Sequence, residues 1–445
     1  MVLSAICPVF EGSQVLQLHI YATAAGGQTW PPMNTTNALA RLRPRSQLQY
    51  RQLPLFGRIM DAFASRSLER GFSLDTARSH IASLQRLVSW FRRRGKRTAK
   101  DFRAEDISEA RRYYRLRNPQ RAAGVQKLGQ FLRDRGYLKP SRSRPATPAE
   151  QAVARFTKHL QCERGLAVKT IEGHQHYVGQ FLRFLGLDRR RTALEDLRLA
   201  DIQRFLGRMA SGCCRGTMVH VVASVRIFLR FQFTRGALAR PLHKQIDTVR
   251  IYQGERLPQP LPWSDFQMVL RKMNRSTPLG LRDLTILLLA ATYGLRRSEV
   301  AALKLDDIHW QTHTLHIPQV KTRQFLWLPL TDEIGAALAD YLKRRAQFPY
   351  RQVFLRLRPP IEPLGPVGVS QTLKRASRLT GVKLPTTRFH SMRHAVALRF
   401  LRQGAPLKSI SDVLGHRDPN TTSDYHRRWL ANAQRHPGRL GQTGP

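Results

Sequence analysis

An internal duplication constrains this chain more than any other feature. The segment ERGFSLDTARSH, Glu69 to His80, returns without a gap as ERGLAVKTIEGH, Glu163 to His174. The likeness continues on both sides of a common pattern. LQRLVSWFRRRGKRTAKDFRAEDI ends at Ile107 and VGQFLRFLGLDRRRTALEDLRLADI ends at Ile202. FLRDRGYLKP (Phe131 to Pro140) is echoed by FQFTRGALARP (Phe231 to Pro241). A repeat of this length fixes architecture, because each copy must build the same supersecondary unit. Both copies read as four or five amphipathic helices. In the second, Val178, Phe181, Leu182 and Leu185 fall at i, i+3, i+4 and i+7, one apolar stripe. Thr76 and Thr170 stand where helices start and are expected to cap them.

Two proline-rich joints divide the rest. KPSRSRPATPAE (Lys139 to Glu150) separates the copies, and QGERLPQPLPWSD (Gln253 to Asp265) ends the second. Proline cannot continue a helix and stiffens an extended linker. Ser264 is expected to cap the helix DFQMVLRKM. Residues 1–50 show no clear period and are expected to be poorly structured, with Met33 and Met60 as alternative starts. The last third differs in kind. LRDLTILLLAATYGLRRSEVAAL reads as a helix, a break at Gly294 and a second helix start. HTLHIPQVKTRQFLWLPLT reads as a strand pair, with Leu315, Ile317 and Val320 on one side and Phe325 to Leu330 returning. The pattern is then helical to about Trp429.

The charge narrows the partner. Lys and Arg number 75 against 30 Asp and Glu, a formal net charge of +45. Such an imbalance repels itself unless a polyanion screens it, and nucleic acid releases counterions on binding. Composition alone would also fit a general RNA-coating protein. The hydrophobic share of 42% provides real cores, which excludes a disordered basic tail. Cys7, Cys162, Cys213 and Cys214 show no ligand or bridge spacing, as expected of a reducing, cytoplasmic compartment. The N-terminus lacks the pattern of a signal peptide, and no apolar stretch reaches the length of a membrane span.

Four polar groups in the last third carry possible chemistry. GLRRSE puts Arg296 at a helix entry with Glu299 on the same face. An arginine fork there suits a phosphate, although a surface ion pair would look the same. VKTR sets Lys321 at the hairpin turn, where most lysines only face water. FHSMRHAVALRF places His390 and Arg393 one turn apart on one helix. LGHRDPNTTSDYHR gives His416 near a helix end and Tyr425 early in the next helix, capped by Asn420 or Thr421. A phenol of ordinary pKa about 10 is a poor nucleophile unless cations favour the phenolate.

Taken in order, these elements resemble the tyrosine recombinase, or phage-type integrase, family. The matching stretches are TYGLRRSEVAAL, VKTRQFLWLPL, HSMRHAVA and LGHRDPNTTSDYHR. The second helical copy is similar to the opening helices of the family's core-binding domain, so the resemblance covers about residues 150–430. It implies a mainly α fold: helical DNA-binding modules, as tandem core-binding (SAM-like) repeats, plus an α+β catalytic domain with a small antiparallel sheet. The boundaries expected are 1–50 for a poorly structured segment, 51–140 for the diverged first module, 150–250 for the core-binding clamp, 263–432 for the catalytic domain and 433–445 for a flexible tail. Two modules would grip one side of the duplex and the catalytic domain would close over the other.

The resemblance also implies roles. Arg296 and Arg393 would bind the non-bridging oxygens of a scissile phosphate, with a further hydrogen bond from His416 and support from Glu299. Lys321 would protonate the departing 5′-oxygen; Arg323 is its nearest rival, since the turn reads Lys-Thr-Arg. His390 would assist proton transfer, and Tyr425 would form a 3′-phosphotyrosyl bond. Such chemistry needs neither cofactor nor metal, and the sequence shows no P-loop or acidic metal cluster. The implied partners are double-stranded DNA, a homo-oligomer (a tetramer on paired sites) and accessory recombinases, with no membrane. A mobile element is the expected setting. The rival readings are a type IB topoisomerase-like enzyme and a catalytically idle DNA-binding accessory protein.

Overall fold

A computed structural model describes residues 37–139, 146–188, 194–250, 261–319 and 324–415. The fold is mainly helical, with one small antiparallel sheet in the C-terminal third. The chain divides into two units, Met1–Lys139 with Leu257–Pro445, and Pro140–Arg256. Both changes of unit fall in the proline-rich joints. The first helical copy therefore shares a unit with the C-terminal third.

That first copy begins earlier than its sequence period suggests. Short helix Ala38–Leu42, and all but the last residue of Gln47–Arg51, lie inside the stretch expected to be poorly structured. Leu39, Leu42 and Tyr50 are buried in the core of the copy. Helices of five residues are too short to show a 3.6-residue period. Helices Met60–Glu69, Leu74–Arg92, Ala104–Arg117 and Pro119–Asp134 enclose the rest, around Phe56, Phe63, Phe91, Phe102 and Phe131. The Phe63 and Phe131 rings meet edge-on, centroids 5.5 Å apart. Burying each such ring contributes about 1.5–3 kcal/mol.

The second copy repeats the plan with helices Pro148–Lys158, Val168–Leu185, Leu199–Gly212 and Arg215–Thr234. Val178, Phe181 and Leu182 are fully buried and Leu185 is half-buried, as the stripe predicts. Phe156 meets Phe231 at 5.6 Å, the counterpart of Phe63 on Phe131. Between Phe156 and Glu163 the chain holds one residue more than between Phe63 and Glu69. A π-turn over His159–Glu163 absorbs the insertion without displacing the aromatic pair.

The expected caps are corrected. Thr76 and Thr170 lie in the first turns of their helices, but neither is the cap. Ser73 caps the first helix, its Oγ accepting from the Thr76 backbone N–H at 3.3 Å. The second copy has Ala167 at that place and no side-chain acceptor. Ser264 is the second residue of helix Trp263–Lys272, which starts behind Pro262. A hydroxyl at the cap and one inside the first turn look alike in sequence. Asn420 and Thr421 lie outside the described residues.

The histidine that closes the duplicated segment is buried in the first copy and half-buried in the second. His174 Nδ1 lies 2.9 Å from Ser224 Oγ, and burial lowers its pKa. When Phe131 is aligned with Phe231, Gly124 stands in place of Ser224. His80 Nδ1 is accordingly buried with no hydrogen-bond partner among the described residues. Burial, and then the Lys127 charge, lower its pKa from 6.5 to about 4. The folded state holds this ring neutral while the unfolded chain takes a proton below its ordinary pKa. Stability is therefore full above about pH 6.5 and declines toward pH 4, by about 2 kcal/mol once solvent screening is allowed for. His80→Phe should flatten that slope in urea titrations at pH 7.5 and pH 5. An unchanged slope would assign it to other groups.

Residues 261–415 are built round helix Pro278–Tyr293, where every residue from Leu281 to Tyr293 is buried. Its charges are paired: Arg282 with Asp283, and Asp283 with Arg375. Strands β1 (Ile308–His309), β2 (Thr314–Gln319) and β3 (Gln324–Pro329) form one antiparallel sheet in that order. Leu315 pairs with Leu328 and Ile317 with Leu326. The position that continues the buried face of Leu315 and Ile317 is Gln319, 7% exposed, rather than Val320. Val320 itself is outside the described residues. Strand β1, two residues long, had no sequence signal. Tyr293 Oη donates to the Pro329 carbonyl at 2.6 Å, tying the central helix to the end of β3. Helices Asp332–Arg344, Pro366–Ser370, Thr372–Thr380, His390–Arg402 and Leu407–Leu414 complete this part.

Candidate active site

The central helix stops at Gly294, whose φ of +63° suits glycine. A β-carbon there would also lie 2.5 Å from Leu414 Cδ2 and 3.6 Å from Arg393 Cγ. The position thus needs glycine twice, for its backbone and for its neighbours. Helix Leu407–Leu414 ends in the same way at Gly415, with φ of +60°.

Arg393 joins these two helix ends. It stands one turn into helix His390–Arg402 and is only 2% exposed. Its Nη1 donates to the Gly294 carbonyl at 2.8 Å, and its Nη2 donates to the Leu414 carbonyl. Carbonyls in the last turn of a helix lack intrahelical donors and carry the negative end of the dipole. A buried guanidinium satisfies both at once. The same closed knot reaches the sheet, because a β-carbon on Gly415 would strike the Gln319 side-chain amide.

Arg296 lies two residues beyond Gly294, at the entry to helix Arg297–Ala302. Its backbone N–H donates to Glu299 Oε2 at 2.7 Å, and its Nη1 donates to Oε1 at 2.6 Å. Glu299 is nearly buried, whereas the Arg296 side chain is 23% exposed. The carboxylate therefore fixes the helix start and the guanidinium together. His390 opens helix His390–Arg402 at the surface, edge-on to His394 with ring centroids 4.6 Å apart.

Of the seven residues singled out in the sequence, the structure describes four: Arg296, Glu299, His390 and Arg393. Lys321, His416 and Tyr425, like Arg323, lie outside the described residues. Gln319 stands two positions before Lys321, and Gly415 immediately before His416. Gly294, Arg393, Leu414, Gly415 and Gln319 thus meet at one place, each at a described position in or next to one of the four sequence elements. Sequence reasoning missed Gln319 and His394. The strand period could have found the first, and the repeated histidine in HSMRH the second. No group of His, Cys, Asp and Glu that could hold a metal ion occurs among the described residues. Cys162, Cys213 and Cys214 form no disulfide, and no described helix is long and apolar enough to cross a membrane.

Comparisons with known proteins address the same regions. Residues 263–429 match the phage integrase family, and residues 153–236 match the SAM-like N-terminal domain of phage integrases. A putative integrase/recombinase of Sinorhizobium fredii, y4rA, is 32% identical over 373 residues, covering 82% of this chain and 89% of the relative. Tyrosine recombinase XerD of Listeria innocua is 30% identical over 277 residues, 61% of this chain and 91% of the relative. The fold is similar to that of XerH site-specific recombinase bound to palindromic difH, with a TM-score of 0.51 at 16% identity, covering 66% of this chain and 90% of that one. It is also similar to a lambda integrase dimer bound to a COC′ core site, with a TM-score of 0.51 at 18% identity, covering 68% and 86%.

Proposed function

This chain belongs to the tyrosine recombinase, or phage integrase, family, and we propose that it is a site-specific recombinase that cuts and rejoins duplex DNA through a 3′-phosphotyrosyl intermediate. The observation that carries this reading is the Arg393 knot, which gathers the ends of the elements bearing Arg296, Lys321 and His416. Tyr425 Oη attacks the scissile phosphorus as the bond to the 5′-oxygen breaks. His390 helps remove the phenolic proton, and Lys321 supplies one to the departing oxygen. Arg296 and His416 hold the non-bridging oxygens, where charge grows in the transition state. Arg393, expected from the resemblance to share that role, is buried on the Gly294 and Leu414 carbonyls and acts by positioning them and adding its charge from behind. The phosphodiester energy stays in the tyrosyl bond, and the 5′-hydroxyl of a partner strand reverses the step. Residues 150–250 act as the core-binding clamp, and residues 263–432 as the catalytic domain.

Exchange of strands needs two duplexes cut in concert. The assembly proposed is a homotetramer on paired DNA sites in the cytoplasm, serving a mobile element, with accessory recombinases as further partners. Solved relatives include a lambda integrase tetramer bound to a Holliday junction, which supports this reading by analogy. A two-site plasmid assay tests it: recombinant product is expected only when both sites are present. Relaxation of a supercoiled plasmid carrying no site, with no recombinants from paired sites, would instead assign a topoisomerase activity.

Glu299 offers a finer test. Glu299→Gln keeps the acceptor for the Arg296 backbone but removes the charge that holds its guanidinium. A charge-assisted bond of about 1.5–3 kcal/mol is weakened, so cleavage should slow roughly 10- to 100-fold. DNA affinity should change less than threefold, because one phosphate interaction among many is affected. A loss of affinity equal to the loss of rate would make Glu299 a binding residue only.

A further inference from the structure

The two helical copies share a plan but present different surfaces. In the first, the corner Arg70–Gly71 is docked on the C-terminal third. The Ile361 backbone N–H donates to the Arg70 carbonyl at 2.9 Å, and Arg70 Nη1 lies 3.6 Å from Glu362. A β-carbon on Gly71 would meet Ile361 and Phe348. Asp134 also pairs with Arg66 and Arg70. The matching corner of the second copy, Arg164–Gly165, is exposed, and Gly165 has nothing within 4 Å of a β-carbon. Thr234 stands there in place of Asp134. The first copy is therefore fastened at one end.

Its far end differs again. Helix Leu74–Arg92 carries the chain about 27 Å away from the docked corner. There the turn after Phe91 exposes Arg92, Arg93 and Arg97 beside helix Ala104–Arg117. That helix buries Ile107, Ala110 and Tyr114 and turns Arg111, Arg112 and Arg115 outward. Aligned through Ile107 and Ile202, these three arginines replace Leu206, Gly207 and Ala210 of the second copy. No ion pair engages them among the described residues; the nearby acid Glu109 is taken by Arg94 at 3.2 Å. Apolar side chains are interleaved with the charge. Leu116 is 90% exposed and Tyr113 is 41% exposed, the latter under Arg117. Leu116 takes no part in the core of this copy.

We propose that this end of the first module is a second DNA-binding surface, in which Arg111, Arg112 and Arg115 hold phosphates of a stretch of duplex other than the one at the catalytic site while Tyr113 and Leu116 pack on its sugars. The proposal rests on the reading of the chain as a DNA-acting enzyme, which supplies the polyanion. The docked corner makes the module an outrigger of the catalytic domain, so the second stretch is held at a set distance from the first. Guanidinium–phosphate bonds of this kind position without reading sequence.

The test is the salt dependence of binding to a mixed-sequence 60-bp duplex between 50 and 200 mM KCl. Every phosphate that a variant no longer neutralises flattens the log–log slope by about 0.9. The triple variant Arg111→Gln, Arg112→Gln, Arg115→Gln should have a slope shallower than wild type by about 3. A change smaller than 1 overturns the proposal. A photocrosslinking residue at Leu116 should attach to the same duplex, whereas one at Leu48, 68% exposed in the same module, should not. Absence of attachment at Leu116, or equal attachment at both, also overturns it. The triple variant should still form its covalent adduct on a 30-bp nicked recombination site at the wild-type level. If wild type forms no adduct there, the recombinase reading fails, and the salt slope still decides the surface.

Discussion

Arg393→Ala is expected to destabilise the C-terminal part by about 3–5 kcal/mol and to abolish cleavage. The side chain is 2% exposed and donates to two carbonyls at separate helix ends. Removing it leaves both carbonyls buried without a donor, at about 1–3 kcal/mol each, and opens a cavity. Arg393→Lys separates the structural from the chemical part. A lysine keeps the charge but cannot bridge two carbonyls in one plane. It should recover about half the stability and still cleave at least 100-fold more slowly, because the knot no longer sets the approach of the surrounding elements. Urea denaturation and single-turnover cleavage on a nicked site report the two effects. A loss below 1 kcal/mol for the alanine variant would show that the knot is not what holds these elements together.

Tyr425→Phe is expected to leave binding intact and to remove the covalent adduct altogether. The change deletes one oxygen and nothing else of the side chain's bulk. If that oxygen is the nucleophile, no route to a phosphotyrosyl bond remains, and the rate should fall by more than 10⁴-fold. DNA affinity should stay within about twofold, since affinity comes from the many phosphate interactions of the basic surface. A phenylalanine variant that still cuts would move the nucleophile elsewhere. One that neither binds nor cuts would make Tyr425 structural.

Much of this arrangement was legible in the chain because it rests on local rules. Gly294 marked a helix end, and Arg296 with Glu299 three residues on marked the next helix start; the structure has both. The repeat announced two copies of one helical module, and its apolar stripe is buried. What escaped depends on partners distant in sequence or on single-residue shifts. Arg393 reads equally well as a surface or a buried residue, because its acceptors lie 99 and 21 positions away. The π-turn at His159–Glu163 shows only when two aromatic pairs are superposed in space. Ser73 could not be separated from Thr76 as the cap, since both offer a hydroxyl near the same turn. The docking of Arg70 on Ile361 joins segments that sequence reading kept as separate domains.

One phenol oxygen and a set of cations meeting at one phosphorus are the centre of the proposed chemistry. The most direct measurement incubates the protein with a nicked duplex bearing its recombination site, in the presence of a chelator, and sequences the peptide left on the DNA. The expected result is a single peptide containing Tyr425, joined to a 3′-phosphate, opposite a free 5′-hydroxyl. A 5′-linked adduct, a different residue on the DNA, or cleavage that leaves no protein attached would contradict it.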